Sequence, residues 1–173
     1  MTAVVSIPVL ETPRLRLRAP VLADFAHHAA FHASDRSRFE GGPRDRLAAW
    51  RYWAADAALW MPRGYGPFGV EDRETGEYLG EVGIFQPEGY PGPELGWFVT
   101  SAAEGRGIAF EAAQAVMGWL RTRLGWDEVI SIIHPENARS IALGLRLGGR
   151  IDPSRDGTDP GDVVIVHDLR GLE

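Results

Sequence analysis

The stretch FVTSAAEGRGIAFEAA, residues 98–113, constrains the fold of this chain more than any other part of the sequence. An apolar run with strand character ends there at a turn in which Gly105 and Gly107 flank Arg106. After this turn, apolar residues recur at helical spacing as far as Gly125, which predicts a helix that begins directly at the turn. Glycine stands where a side chain would obstruct something, so the turn predicts a close approach to the backbone.

A second strand follows the predicted helix. EVISIIH, residues 128–134, is apolar and rich in β-branched residues, which is typical of a buried strand. Strand, glycine turn, helix and buried strand in this order predict a right-handed βαβ crossover. The rest of the chain predicts an antiparallel part of the sheet and further helices, so the expected fold class is mixed α/β. The other predicted strands are 14–19, two runs within a hairpin at 65–85, 94–100 and 162–169, and the other predicted helices are 24–34, 44–60 and 137–148.

Composition limits the classes of protein that the sequence allows. The 173 residues are 45% hydrophobic, which fits one domain over 1–173 with its core at about 10–170. There is no cysteine to serve as a nucleophile or thiolate ligand, and 18 basic against 24 acidic residues give a net charge of −6. That charge argues against nucleic-acid binding and suits a cationic partner. Without a signal-peptide pattern or a run of ~18 apolar residues, we expect a cytoplasmic protein that does not enter a membrane.

The glycine turn has the features of an anion site. A strand that enters a helix through two glycines leaves several N–H groups unpaired at the positive end of the helix dipole. A dinucleotide fingerprint would need a third glycine where Phe110 stands, and the Gly-Lys-Ser/Thr of a Walker loop is absent. Two interpretations remain, namely the pyrophosphate loop of an acyl-coenzyme A binder and a plain turn in a structural domain.

Several motifs in order resemble the GNAT superfamily of acyl-CoA-dependent N-acyltransferases. They are ETPRLRLRAP, GWFVTSAAEGRGIAFEAA, IHPENARSIALGLRLGG and DVVIVHDL, which together span nearly the whole chain. The chain is most similar to the branch that includes the ribosomal-protein N-terminal acetyltransferases. The resemblance implies a central mixed sheet whose parallel strands splay apart, helices on both sides, and acetyl-CoA held between the splayed strands.

The resemblance also implies which residues contact the cofactor. The family's loop pattern matches at Gly105 and Gly107 but not at Ala102. Backbone N–H groups from Glu104 to Ala109 are expected to line the diphosphate, with the Glu104 carboxylate pointing away from it. The main chain of the preceding strand and an asparagine are expected to hold the pantetheine arm. The implied cofactor-binding residues are Phe98, Val99, Glu104, Gly105, Arg106, Gly107, Ile108, Ala109 and Asn137, and Asn137 can equally cap the next helix.

Acetyl transfer to an amine needs a base, an oxyanion donor and an acid. Glu94 is the expected base, with Glu81 and Asp162 as alternatives, and a backbone N–H near Val99 is the expected oxyanion donor. The tyrosine that serves as the acid in many GNAT enzymes is replaced by Gly144, and Ser140 is the expected substitute. Ser140 can instead serve only the start of its own helix. The family's phenylalanine after Gly148 is likewise replaced, by Gly149.

The resemblance leaves the acceptor and the assembly open. The acceptor is expected to be a primary amine, either a protein α-amine or a small amine. His28 and His32 have zinc-binding spacing but no third ligand, so no metal is expected. The residues expected to wall the acceptor side are His28, His32, Trp50, Trp53 and Tyr65. The alternative function is a non-catalytic acyl-CoA-binding regulator, and an exposed edge strand near the C-terminus offers a surface for a homodimer.

Overall fold

The computed structural model describes residues 5–172, which contain one eight-stranded mixed sheet with the strand order β1-β2-β3-β4-β5-β6-β8-β7. The first four residues and Glu173, part of the predicted domain, lie outside this range. The strands are Leu10–Glu11 (β1), Leu15–Arg18 (β2), Pro67–Asp72 (β3), Tyr78–Phe85 (β4), Glu94–Val99 (β5), Glu128–Ile133 (β6), Arg150–Ile151 (β7) and Val163–Asp168 (β8). The helices are Phe25–His32 (α1), Arg46–Ala58 (α2), Trp60–Arg63 (α3), Ile108–Trp119 (α4) and Ala138–Arg146 (α5).

The predicted mixed α/β class is confirmed. Strands β1 to β5 are antiparallel, β5 and β6 are parallel, and helix α4 connects them. The hairpin between β3 and β4 turns at Gly76, which has a φ of +73°. Helix α4 ends in a π-helical turn at Leu120–Leu124, and Gly125 closes it with a φ of +70°.

The two faces of the central strands carry different residues. On one face Val82, Ile84 and Leu95 join a fully buried core with the apolar side of α4. On the other face, Phe98 packs with Phe31 of α1 and with Tyr78. Alternation along a strand requires this division. Trp97 packs toward the α4 core and Phe98 toward α1.

Several local features differ from the sequence-based expectation. Asp24 stands at the start of the first helix as expected, but its carboxylate binds Arg18 and accepts a hydrogen bond from the N–H of Val21 instead of capping α1. The C-terminal edge of the sheet is β7, since β8 lies between β6 and β7. With two residues, β7 offers little backbone for pairing with a second subunit. None of the helices within residues 5–172 combines the length and apolar character that crossing a bilayer requires.

Candidate active site

The predicted glycine turn has the backbone conformation that only glycine adopts readily. Gly105 has a φ of +71° and Gly107 a φ of +76°, in the left-handed region. A Cβ at Gly105 would meet nothing within 4 Å, and one at Gly107 would meet only the Arg14 guanidinium at 3.6 Å. Backbone conformation, and not crowding by the protein, therefore requires glycine at both positions.

Six consecutive N–H groups at this turn, those of residues 105–110, donate to no acceptor within the described part of the chain. The first helical hydrogen bond of α4 is donated by Glu111 to the carbonyl of Gly107. The Glu104 N–H donates to Ser101 at 3.4 Å, so the unpaired series starts one residue later than expected. Unpaired N–H groups at the positive end of a twelve-residue helix favour an anion.

Two carboxylates flank these N–H groups, and arginines neutralise both. Glu104 lies between Arg36 (2.5 Å) and Arg139 (3.2 Å). Glu111 binds Arg14 at 2.6 Å. Arg14 also donates to the carbonyl of Arg106 at 3.0 Å and thereby holds the turn. The charge environment is therefore compatible with a bound diphosphate.

The sheet opens beside this turn. Within the described residues, β5 and β6 share a single paired position, Glu94 with Ile130. The hydroxyl of Ser131 donates to the carbonyl of Leu95 at 2.7 Å and closes the gap at that end. From there toward Val99 the two parallel strands diverge, which leaves room for an extended chain between them.

The pairing of β5 with β4 decides which main-chain groups face this gap. Hydrogen-bonded and non-hydrogen-bonded residue pairs alternate in an antiparallel ladder, and the N–H of Thr100 donates to the carbonyl of Leu79. Phe98 lies two residues before Thr100 and therefore also belongs to a hydrogen-bonded pair, so its main chain faces β4. The main-chain groups of Trp97 and Val99 face the gap. This corrects the expectation for Phe98 and adds Trp97, which sequence reasoning missed because the phase depends on the pairing. The carbonyl of Val99 accepts from Arg36 at 2.7 Å.

A cleft of about 760 Å³ lies on the α1 and α2 face of the sheet and reaches this gap. Seven carboxylates and two arginines line it, so its lining is acidic. One of the two arginines, Arg44, is engaged by the Tyr52 ring at 3.8 Å and by His32 Nδ1 at 3.0 Å. Because an arginine only donates, His32 Nδ1 is the acceptor and its imidazole is neutral.

Glu94 lies at the wall of this cleft, where the gap closes. Its carboxylate is 3.4 Å from the N–H of Ile132 on β6. Neighbouring protein atoms exclude much of the water from around it and raise the pKa of Glu94 to about 8. A carboxyl with such a pKa is a suitable proton acceptor near neutral pH.

The alternatives to Glu94 are placed differently. Asp162 accepts hydrogen bonds from the N–H groups of Thr158 and Asp159 and from the Thr158 hydroxyl, so it serves to hold its own loop. Glu81 is 3% exposed and lines the cleft. Burial raises the pKa of Glu81 well above the usual range.

Ser140 and Asn137 lie on the opposite side of the gap, at the start of α5. The Asn137 side chain accepts from the N–H of Ser140 at 3.2 Å and caps the helix. The Ser140 hydroxyl oxygen accepts from Trp97 Nε1 at 3.3 Å, so its own proton is available to another acceptor. The position of the missing tyrosine is filled, because a Cβ at Gly144 would lie 2.7 Å from Ile165 Cδ1.

Of the five residues expected to wall the acceptor side, only His28 and His32 line the cleft. Trp50 and Trp53 pack on Phe25, and Tyr65 contacts Gln86 and Trp126. Tyr52 and Tyr90 line the cleft instead, and no motif in the sequence marked them. No cluster of three or more potential metal ligands occurs in the portion of the chain that the structure describes.

Comparisons with known proteins agree with this architecture. The family model for the acetyltransferase (GNAT) domain matches residues 14–150. An acetyltransferase from Agrobacterium tumefaciens str. C58 is 38% identical, with a TM-score of 0.90 over 96% of this chain and 98% of that one. The uncharacterized protein YkkB of Bacillus subtilis (strain 168) is 30% identical over 80% of this chain and 83% of its own. A ribosomal L7/L12 α-N-protein acetyltransferase, RimL, solved with coenzyme A, is 16% identical with a TM-score of 0.72 over 93% and 98% of the two chains.

The chain belongs to the GNAT acetyltransferase family, since the family model covers most of its length. It is therefore an acetyl-CoA-dependent acetyltransferase. The match with RimL, at its low identity, shows a shared fold.

Proposed function

We propose that this enzyme transfers the acetyl group of acetyl-CoA to a primary amine by direct attack, without a covalent enzyme intermediate. The observation that carries the proposal is the continuity of three features. Six unpaired N–H groups adjoin a gap between two parallel strands, and the gap opens on an acidic cleft at Glu94. The anion site suits the diphosphate, the gap between the strands suits the pantetheine arm, and Glu94 suits the proton of the amine.

The cofactor occupies the first two parts. The diphosphate accepts hydrogen bonds from N–H groups of residues 105–110, and the pantetheine arm lies along the main chain of Trp97 and Val99. Asn137, whose Oδ1 caps α5, retains a side-chain NH₂ that can donate to the arm. In this arrangement the thioester points toward Leu95, where the gap ends.

The acceptor enters through the cleft. Deprotonation at pH 7 costs about 1 kcal/mol for an α-amine and about 4.6 kcal/mol for a lysine-like amine. Because the attacking nitrogen must be neutral, Glu94 takes a proton from the ammonium group. The amine nitrogen bonds to the thioester carbon, and a main-chain N–H at Trp97 or Val99 stabilises the oxyanion. The C–S bond then breaks, the thiolate takes the proton of Ser140, directly or through water, and Ser140 takes in return the second proton that the attacking nitrogen loses as it becomes an amide.

An assay of free thiol release tests the proposal. Acetyl-CoA is supplied with a panel of protein N-terminal peptides and small amines, and acetylated product is identified by mass. We expect release that depends on the amine. Coenzyme A binding is measured in parallel, because ligand at 100 times its Kd adds about 2.7 kcal/mol to the free energy of unfolding. Tight binding without release for any amine would support the regulator instead, and no thermal shift would support a structural domain.

A further inference from the structure

The pairing of β5 with β6 stops where two side chains take the place of a main-chain hydrogen bond. Glu94 pairs with Ile130. In a regular parallel ladder the next bond would run from the N–H of Ile132 to the carbonyl of Leu95, but the two strands pair at no further position within the described residues. The Ser131 hydroxyl donates to the Leu95 carbonyl at 2.7 Å instead. The N–H of Ile132 lies 3.4 Å from the Glu94 carboxylate.

His167 of β8 fixes the direction of the Ser131 hydroxyl. Its Nε2 atom is 3.1 Å from the hydroxyl oxygen, and both side chains are buried, with exposures of 0% for His167 and 1% for Ser131. Because a carbonyl only accepts, the hydroxyl proton points to Leu95 and the histidine donates from Nε2. The ring is therefore neutral, in agreement with a pKa that burial lowers to about 4. Two hydrogen bonds in series thus connect β8, β6 and β5.

Gly149 leaves the space that His167 occupies. It stands where the family's phenylalanine is replaced, and a Cβ there would lie 2.8 Å from His167 Cε1 and 2.8 Å from the carbonyl oxygen of Gly144. A side chain at position 149 would have to displace the histidine ring. The missing phenylalanine and the contact between His167 and Ser131 are therefore linked features of this chain.

We propose that Ser131 and His167 are positioning residues of the acetyl transfer. Their two hydrogen bonds hold the strand gap open at its end and leave the Ile132 N–H for the Glu94 carboxylate. This inference rests on the proposed role of Glu94. Without the hydroxyl, the Leu95 carbonyl needs another donor, and the ladder offers it the N–H of Ile132. The pairing would then advance by two residues, about 6.6 Å, into the space of the thioester.

The proton affinity of Glu94 depends on the same arrangement. Burial raises the pKa of Glu94 to about 8, and the N–H of Ile132 acts in the opposite direction. The ionisable groups that act on this carboxyl from other parts of the chain are all acids, so they do not replace the N–H in stabilising its charged form. These acids are Glu40, Asp56, Tyr90 and Asp162. Loss of the Ile132 N–H should therefore raise the pKa of Glu94 further.

The test measures acetyl transfer by the full-length Ser131→Ala variant, with an amine that the thiol-release panel identifies. We expect kcat to fall about 10-fold to 100-fold, because small misplacements of reacting groups have effects of this size. The rise of kcat with pH should move to higher pH, while the Kd for coenzyme A changes little. His167→Phe should change kcat and the pH profile in the same direction. His167→Gln keeps an N–H donor and should restore both.

Trp60→Phe is the matched control. Trp60 Nε1 also donates from a buried position to a strand carbonyl, that of Pro67 at 2.8 Å, but β3 does not border the gap. This variant should lower Tm and keep the wild-type kcat and pH profile. Ser131→Ala should lower kcat with a Tm near that of the wild type, because the Leu95 carbonyl gains the Ile132 N–H as a donor. A loss of kcat that only follows a loss of Tm would overturn the inference.

NMR of the Ile132 amide gives a readout that needs no turnover. In the wild type its chemical shift should change with pH as Glu94 ionises, at about pH 8. In Ser131→Ala that change should disappear, and exchange of the amide with solvent deuterium should slow. Equal titration of the amide in both proteins, or an unchanged kcat and pH profile in Ser131→Ala, would overturn the inference while amine acetylation stands. Acetylation of no amine by the wild type would overturn the proposed function, and the amide titration would still decide whether Ser131 leaves this N–H to Glu94.

Discussion

Replacing Gly105 with alanine should weaken coenzyme A binding far more than it weakens the fold. The residue has a φ of +71°, and a Cβ there meets no atom within 4 Å. The cost to the protein is therefore backbone strain alone, about 1–2 kcal/mol for a left-handed residue other than glycine. The turn can relieve this strain only by changing the direction of its N–H groups.

The loss in affinity follows from the number of N–H groups that the turn aligns. Each hydrogen bond to a charged group contributes about 1.5–3 kcal/mol. Misaligning one of the six N–H groups of residues 105–110 should therefore raise the Kd by about 10-fold to 150-fold. Gly107→Ala should behave in the same way, because its φ of +76° is equivalent.

Gly125 provides the matched control at the other end of the helix. Its φ is +70°, and a Cβ there also meets nothing within 4 Å. Gly125→Ala should lower Tm about as much as Gly105→Ala while the Kd for coenzyme A, measured by calorimetry, stays at the wild-type value. A pantetheine thioester without the diphosphate should bind all variants equally. If Gly105→Ala binds coenzyme A normally, or Gly125→Ala loses equal affinity, the assignment of the diphosphate site is wrong.

Three further predictions concern the carboxyls and the serine. Glu94→Gln should lower kcat about 100-fold or more, and the rise of the wild-type rate with pH through about 8, the pKa of Glu94, should disappear from its pH profile. Glu81 ionises above about pH 4.5 in the unfolded chain but stays protonated to higher pH in the folded protein, so raising the pH favours unfolding. The Tm advantage of Glu81→Gln over the wild type should therefore grow between pH 5 and pH 8, and a constant difference would contradict the effect of burial on this carboxyl. Ser140→Ala should lower kcat with an unchanged Kd for coenzyme A, because the helix cap uses the N–H of this residue; a matching loss of Tm and kcat would indicate a purely structural role.

The elements that the sequence predicted well are those with a strong local pattern. The glycine turn, helix α4 and the buried strand β6 lie where their spacing placed them. The strands β1 and β7 were missed because two residues are too few to show alternation. Asp24 stands at the start of α1 as predicted, but the binding of its carboxylate to Arg18 was missed because Arg18 belongs to another element.

The candidate site was only partly predictable, for a physical reason. Gly105, Gly107 and Glu94 could be identified from the sequence, because their expected roles depend on the backbone freedom of a glycine or on the charge of one side chain. The exposure of the Trp97 main chain depends on the phase of hydrogen bonding between β4 and β5, which the sequence does not encode locally. The burial of Glu81 likewise depends on helices that pack over the sheet from far along the chain.

The close packing of α5 on β8 restricts how this enzyme can change. Because the end of the Ile165 side chain occupies the space that a Cβ at Gly144 would need, a tyrosine at that point of the helix would have to displace it. A smaller residue at position 165 would remove this conflict. The two positions should therefore vary together among descendants of this chain, and laboratory selection for a stronger proton donor should recover them as a pair.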